Sequence, residues 1–302
     1  SQEAPQYIIS NASVGLTQAV AGHIAKTDSI KRTIRNIRIR KLAAPALPMT
    51  RQEIVFPKEY KMTKEGGPFL LFDSGPTEDR IIIFSTARNL RLLASSKHWY
   101  GDGTFKTVPH LFYQIYTLHG IQVNNSNPLL YALLPDKTEA TYVRLLQQVK
   151  QFQPDVYPET FMTDFESAIV NAIRQEFPTA KNRGCFFYFT QCIFRRIQAE
   201  GLQRSYETDV DFAMKMRLLS ALAFVPTEDV VGAFEVLSGD NMPEEEQGII
   251  DYFEDCWIGR PQRRKGRREP RFSLEMWNCH EGVRQRLPKT NNSQVIIQML
   301  TW

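Results

Sequence analysis

The sequence predicts a mixed α/β fold with an added helical layer. Three observations carry this: three consecutive strand-like runs between Trp99 and Leu134, an alternation of helices and short strands from Glu139 to Glu200, and an almost wholly helical stretch from Tyr206 to Trp257. A meander followed by strands joined through helices implies a mixed sheet in which the helix-connected strands run parallel.

The elements follow in order. From about Gly15 to Lys41 the pattern is helical, with Ile30, Ile34 and Ile37 on one face and Lys31, Arg32, Arg35 and Arg38 around the rest. Such a basic amphipathic helix serves either as a solvated packing helix or as a phosphate contact. Ala43 to Pro48 carries two prolines and reads as a linker. Phe69–Pro76 and Arg80–Phe84 flank a turn-rich segment and predict a β-hairpin, followed by a short helix at Asn89–Ser96. Strands are expected at Trp99–Val108, Leu111–Ile121 and Pro128–Leu134, all rich in aromatic and β-branched residues. Beyond them come a helix at Glu139–Phe152 with Tyr142, Leu145, Leu146 and Val149 as its buried face, a strand at Thr160–Thr163, a helix at Glu166–Phe177, a strand at Gly184–Phe189 and a helix at Gln191–Glu200. The helical stretch after Tyr206 is expected to turn at Gly239–Pro243.

These elements divide the chain into a basic helical segment and linker (1–48), a hairpin lead-in (49–96), a core (97–200), a helical insertion (201–258) and a basic loop with a C-terminal segment (259–302). With 302 residues and 42% hydrophobic content the chain can bury a sizeable core. A net charge of +4 permits a polyanionic partner without requiring one. The cysteines Cys185, Cys192, Cys256 and Cys279 lack the paired short spacing of zinc ribbons or redox motifs and read as reduced thiols of an intracellular protein. No apolar run is long enough for a membrane span, and no membrane partner is expected. The chain starts at Ser1, which reads as a trimmed or partial reading frame.

Two acids are candidates for chemistry, and each has a structural alternative. Asp102-Gly103 is by itself a turn signal. Asp164 stands at a strand-to-helix junction where Thr163 and Glu166 fit a capping box. Taken together, a carboxylate on the first strand of the meander and another at the end of the strand after the first helix meet if those strands are neighbours, and would then form a magnesium site. Arg260–Arg271 is the most polarised run, and Arg263, Arg264, Lys265, Arg267 and Arg268 are candidates for DNA-backbone contact, against a solvated charge run or a nuclear-import signal.

The blocks Trp99-Tyr100-Gly101-Asp102-Gly103-Thr104-Phe105-Lys106, Pro109–Gln114, Tyr131–Thr138 and Met162–Glu166 together resemble the Mutator-like (MULE) transposase domain. The resemblance is strongest from about Lys97 to Glu200, with weaker likeness at Phe69–Phe84 and Trp257–Asn292. It implies a ribonuclease H-like fold, a helical insertion after the fifth strand, and an Asp-Asp-Glu triad that cuts and joins DNA with two divalent metals, Mg2+ or Mn2+. Asp102 would bridge both ions and Asp164 would hold one. The implied partner is DNA, transposon ends in the family; the implied location is the nucleus, and a homo-oligomer is compatible with it.

The sequence departs from the family in two places. The approach Pro288-Lys289-Thr290-Asn291-Asn292 resembles a block that continues with a glutamate and a Gly-Trp-His, but this chain reads Ser293 to Trp302 and stops. A frameshift, an alternative exon or a truncated copy is the expectation, with Glu275 or Glu281 as makeshift third acids and little activity alone. Where the family shows Cys-x-x-His, this chain has Cys185-Phe186-Phe187-Tyr188, and tyrosine cannot replace a neutral imidazole ligand. Cys185 itself reads as a buried strand thiol. The alternative is a domesticated nuclear protein that binds DNA without chemistry.

Overall fold

The computed structural model describes residues 4–14, 26–41, 47–122, 125–239, 243–263 and 266–290. It forms two compact units, Ser1–Met49 and Thr50–Trp302.

Among its described residues the first unit holds two helices, α1 (Pro5–Ser13) and α2 (Thr27–Lys41). Proline at the start of α1 costs nothing, because the first amides of a helix have no intrahelical acceptor. On α2, Ile30 and Ile34 are half-buried and Ile37 is exposed. The expected helical start at Gly15 and most of the Ala43–Pro48 linker lie outside the described residues, as does the side chain of Arg38.

The second unit is built on one mixed sheet of seven strands. Its strands are β1 (Leu70–Asp73), β2 (Ile82–Phe84), β3 (His98–Thr104), β4 (Gln114–Gln122), β5 (Asn125–Leu134), β6 (Thr160–Thr163) and β7 (Lys181–Gly184). In space they run β1-β2-β5-β4-β3-β6-β7. The meander β3-β4-β5 is antiparallel, whereas β3, β6 and β7 are mutually parallel. The crossovers are α4 (Glu139–Phe152) between β5 and β6 and α5 (Ser167–Glu176) between β6 and β7. The five strands β3 to β7 therefore form a ribonuclease H-like core. The hairpin β1-β2 forms as expected, and β2 pairs with β5, so it extends the same sheet.

One face of the sheet is covered by α4, α5 and α3 (Ala87–Ser95). As the periodicity predicts, α4 buries Tyr142, Leu145, Leu146 and Val149 against Trp99, Leu118, Leu130 and Phe161 of the strands. Trp99 meets Phe161 and Phe177 edge-on at 5.6 and 5.5 Å, and its indole N–H donates to the carbonyl of Leu93 at 2.9 Å.

After β7 the chain becomes helical: α6 (Phe186–Ala199), α7 (Gln203–Thr208), α8 (Val210–Ala221), α9 (Val230–Leu237) and α10 (Glu244–Phe253), which winds into a π turn over Glu254–Ile258. Two short helices, α11 (Leu274–Trp277) and α12 (His280–Arg284), follow. These helices share a second core in which Phe189 stacks on Trp277 at 4.9 Å and Trp257 on Phe272 at 5.1 Å.

Three sequence expectations need correction. The strand expected at Gly184–Phe189 is Lys181–Gly184, and the apolar Phe186-Phe187-Tyr188-Phe189 run already belongs to α6. A short apolar run has no period that separates a strand from a buried helix. Cys185 is buried, but it stands at the N-cap of α6 rather than within a strand. The first strand ends at Thr104, not Val108. The turn expected at Gly239–Pro243 falls partly on residues outside the described ones.

Candidate active site

Asp102 lies inside β3, opposite Thr117 of β4, so the Asp102-Gly103 pair makes no turn. The glycines beside it mark close approach instead. A β-carbon on Gly101 would strike the phenol of Tyr116 and the ring of Phe161, and one on Gly103 would come within 2.6 Å of Gln114 Oε1. The glycines thus let Tyr116 and Gln114 of β4 pack directly against the strand that carries Asp102.

Asp164 follows the last residue of β6, the parallel neighbour of β3. The half-buried side chain of Phe165 packs at 4.8 Å from Trp257, 5.2 Å from Phe272 and 6.2 Å from Phe189. The same ring lies over Gly184, where any side chain would collide with it. The aromatic core of the helical layer therefore clamps the residue between Asp164 and Glu166. The expected capping box does not form. The N-cap of α5 is Glu166, without a side-chain capping bond, and the Thr163 hydroxyl donates to the carbonyl of Asp164 at 2.9 Å.

The acids are electrostatically joined. Burial, followed by the charges of Glu166 and Asp102, pushes the Asp164 carboxyl up to about 6, an effect that Lys137 offsets only in part. Burial also raises Glu166, which receives a long 3.5 Å bond from the Tyr142 hydroxyl and lies 3.9 Å from Lys137 Nζ. The Tyr116 phenol is fully buried in the field of Asp164, Asp102 and Glu166 and has no hydrogen-bond partner. On the open side, the Tyr188 hydroxyl of α6 donates to Asp102 Oδ1 at 3.0 Å.

These residues suit a hard divalent cation. Asp102 and Asp164 offer oxygen donors, the negative charge around Asp164 is incompletely balanced, and the unmatched Tyr116 hydroxyl lies in that same field. Among the described residues no group of three or more His, Cys, Asp or Glu side chains is arranged to hold a metal ion. The donor set is a pair, which magnesium commonly completes with water and phosphate oxygens.

The remaining candidates lie elsewhere. Glu275 and Glu281 line a cleft with Lys181 and Arg183 of β7, and neither is among the charges that shift Asp164, which follows the last residue of β6. Arg260–Arg268 folds into a small hairpin in which Pro261 bridges Arg267. Its base is internally neutralised. Arg260 binds Asp255 at 2.7 Å, Arg267 binds Glu254 and Glu235 at 2.7 Å each, and Arg268 also reaches Asp255. Arg263 is exposed near the tip, while Arg264 and Lys265 lie outside the described residues. Sequence reasoning missed Glu166 as a site member, although the Asp-x-Glu spacing of Asp164 and Glu166 was a usable signal. It marked Tyr188 as a departure from the family's Cys-x-x-His, but did not place it beside Asp102.

The mixed sheet therefore places two acids on adjacent parallel strands, with a helical layer packed on the residue beside the second. Residues 98–192 match the MULE transposase domain, a stretch that runs from β3 to the middle of α6. No curated protein matches the chain. Among the described residues no helix is long and apolar enough to cross a membrane.

Proposed function

We propose that this transposase-derived chain acts on DNA in the nucleus, and that Asp102 and Asp164 hold Mg2+ or Mn2+ for phosphodiester cleavage and transfer. The observation that carries the reading is the convergence of these acids from adjacent strands within the matched domain. A cation bound there would supply Lewis-acid stabilisation of charge developing on phosphate oxygens. The protein's part is to hold the acids in place: Asp102 by strand pairing and Tyr188, and Asp164 by the Phe165 clamp. Arg263, exposed on the basic hairpin, would meet the DNA backbone, since Arg267 and Arg268 are engaged in ion pairs.

The test is nicking of supercoiled DNA with Mn2+ and with Mg2+, in parallel with calorimetric titration of each cation. Cation binding lost in Asp102→Asn and in Asp164→Asn supports the site. Nicking that survives both substitutions overturns the catalytic assignment.

The Tyr188 hydroxyl on Asp102 favours a second reading, a domesticated DNA-binding protein without chemistry, because it occupies an oxygen that a cation would use. DNA binding without cation-dependent nicking selects this reading.

A further inference from the structure

A second charged feature lies on the face of the sheet that carries Asp102. Pairing places Tyr100, Met162 and Arg183 side by side across β3, β6 and β7. Asp102 and Asp164 each lie two residues further along, roughly 7 Å at the strand rise. Next to Arg183 a cleft of about 470 Å³ opens between β7, the end of α5 and the α11–α12 segment. Arg174, Lys181 and Arg183 line it, together with the Ser273 hydroxyl.

Arg183 is the unusual member. Its Nε is buried and has no hydrogen-bond partner, and among the described residues none of these three cations has a carboxylate within ion-pair distance. A buried guanidinium N–H without an acceptor is costly, and because the Arg183 side chain is only half-buried, its terminal N–H groups rather than Nε are the ones that would meet a ligand in the cleft. Glu275 and Glu281 stand at the same cleft, but Glu281 already faces Arg284 at 3.6 Å. Planar, fork-shaped arginine suits the paired oxygens of a phosphate.

We infer that this cleft is a phosphodiester subsite, which takes the backbone of a DNA strand whose neighbouring segment lies at Asp102 and Asp164. The inference rests on the DNA reading above and adds to it a second contact point distinct from the basic hairpin. Lys181 and Arg174, exposed at the cleft, would supply screened charge, and Arg183 would supply the directed bonds.

The experiment is fluorescence anisotropy with a short labelled DNA duplex in EDTA, across a salt titration, on the full chain. The double variant R174Q/K181Q changes only exposed side chains and keeps the test independent of folding; R183Q is added with its thermal melt as control. The expected result is a loss of about 5-fold or more in affinity for the double variant, and a salt slope lower by about 2. R263Q should add its own loss independently. Parent-like binding by R174Q/K181Q and R183Q overturns the subsite while the DNA reading stands. Absence of DNA binding by the parent overturns both. Inorganic phosphate that stabilises the parent but not the variants, with DNA affinity unchanged, assigns the cleft to a free anion and overturns the strand assignment.

Discussion

The hydroxyl of Tyr188 donates to Oδ1 of Asp102 at 3.0 Å, linking the first turn of α6 to the strand that carries the first acid. The bond orients the carboxylate and also occupies one of its oxygens. If it competes with a cation, Tyr188→Phe should bind Mn2+ several-fold more tightly, since a hydrogen bond to a charged group is worth about 1.5–3 kcal/mol. Weaker binding in calorimetric titration would assign Tyr188 to orienting Asp102 instead.

Asp164 gives a pH signature. Its carboxyl sits at about 6 in the folded chain against 3.8 when free, so the folded state holds the proton more tightly. The ionised form therefore opposes folding, and this penalty grows as pH rises from about 4 to 6 and is fully present above it. Asp164→Asn should raise the melting temperature at pH 7 and flatten its fall between pH 4 and 6. Identical pH profiles for the two proteins would contradict the burial and charge coupling of this acid.

The clamp on Phe165 predicts a coupling between packing and site. Gly184→Ala puts a methyl group into the Phe165 ring and forces the ring to move. Overpacking of this kind costs about 1–3 kcal/mol. Displacement of Asp164 should weaken cation binding beyond what the loss of stability explains. Thermal melts paired with Mn2+ titration below the transition separate the two effects.

Within the basic hairpin, charge alone does not assign a role. Arg267 is largely buried between Glu254 and Glu235 and also donates to the carbonyl of Gly259 at 2.7 Å. Arg267→Met should lower stability by about 2–4 kcal/mol, since it leaves Glu254 half-buried without its cation. Arg263→Gln, at an exposed position, should leave stability within about 0.5 kcal/mol and weaken DNA binding. Denaturant melts and anisotropy on both variants distinguish an anchor from a contact.

Much of the architecture was legible because burial leaves a period in the sequence. Glu139–Phe152 shows its apolar stripe and forms that helix, Thr160–Thr163 forms that strand, and the meander followed by helix-linked strands yields antiparallel and then parallel pairing. The Asp102 and Asp164 blocks likewise identified the domain, because both acids sit in local motifs that survive without coordinates. Other features are set by contacts between residues far apart in the chain. Gly103 looks like a turn residue until Gln114 of the neighbouring strand is seen against it, and Glu166 looks like part of a capping box until the Tyr142 hydroxyl of α4 is seen against it. Tyr188 meets Asp102 from 86 positions away. The charges of Arg267 and Arg268 are balanced by Glu235, Glu254 and Asp255, two of them on the preceding π turn. Sequence by itself determined most of the elements and the domain match over residues 98–192, and it offered Asp102 and Asp164 as candidates, since these depend on local pattern. Only the tertiary structure decided which groups surround those acids and which cations remain unpaired, because pKa, hydrogen bonding and ion pairing depend on distance in space.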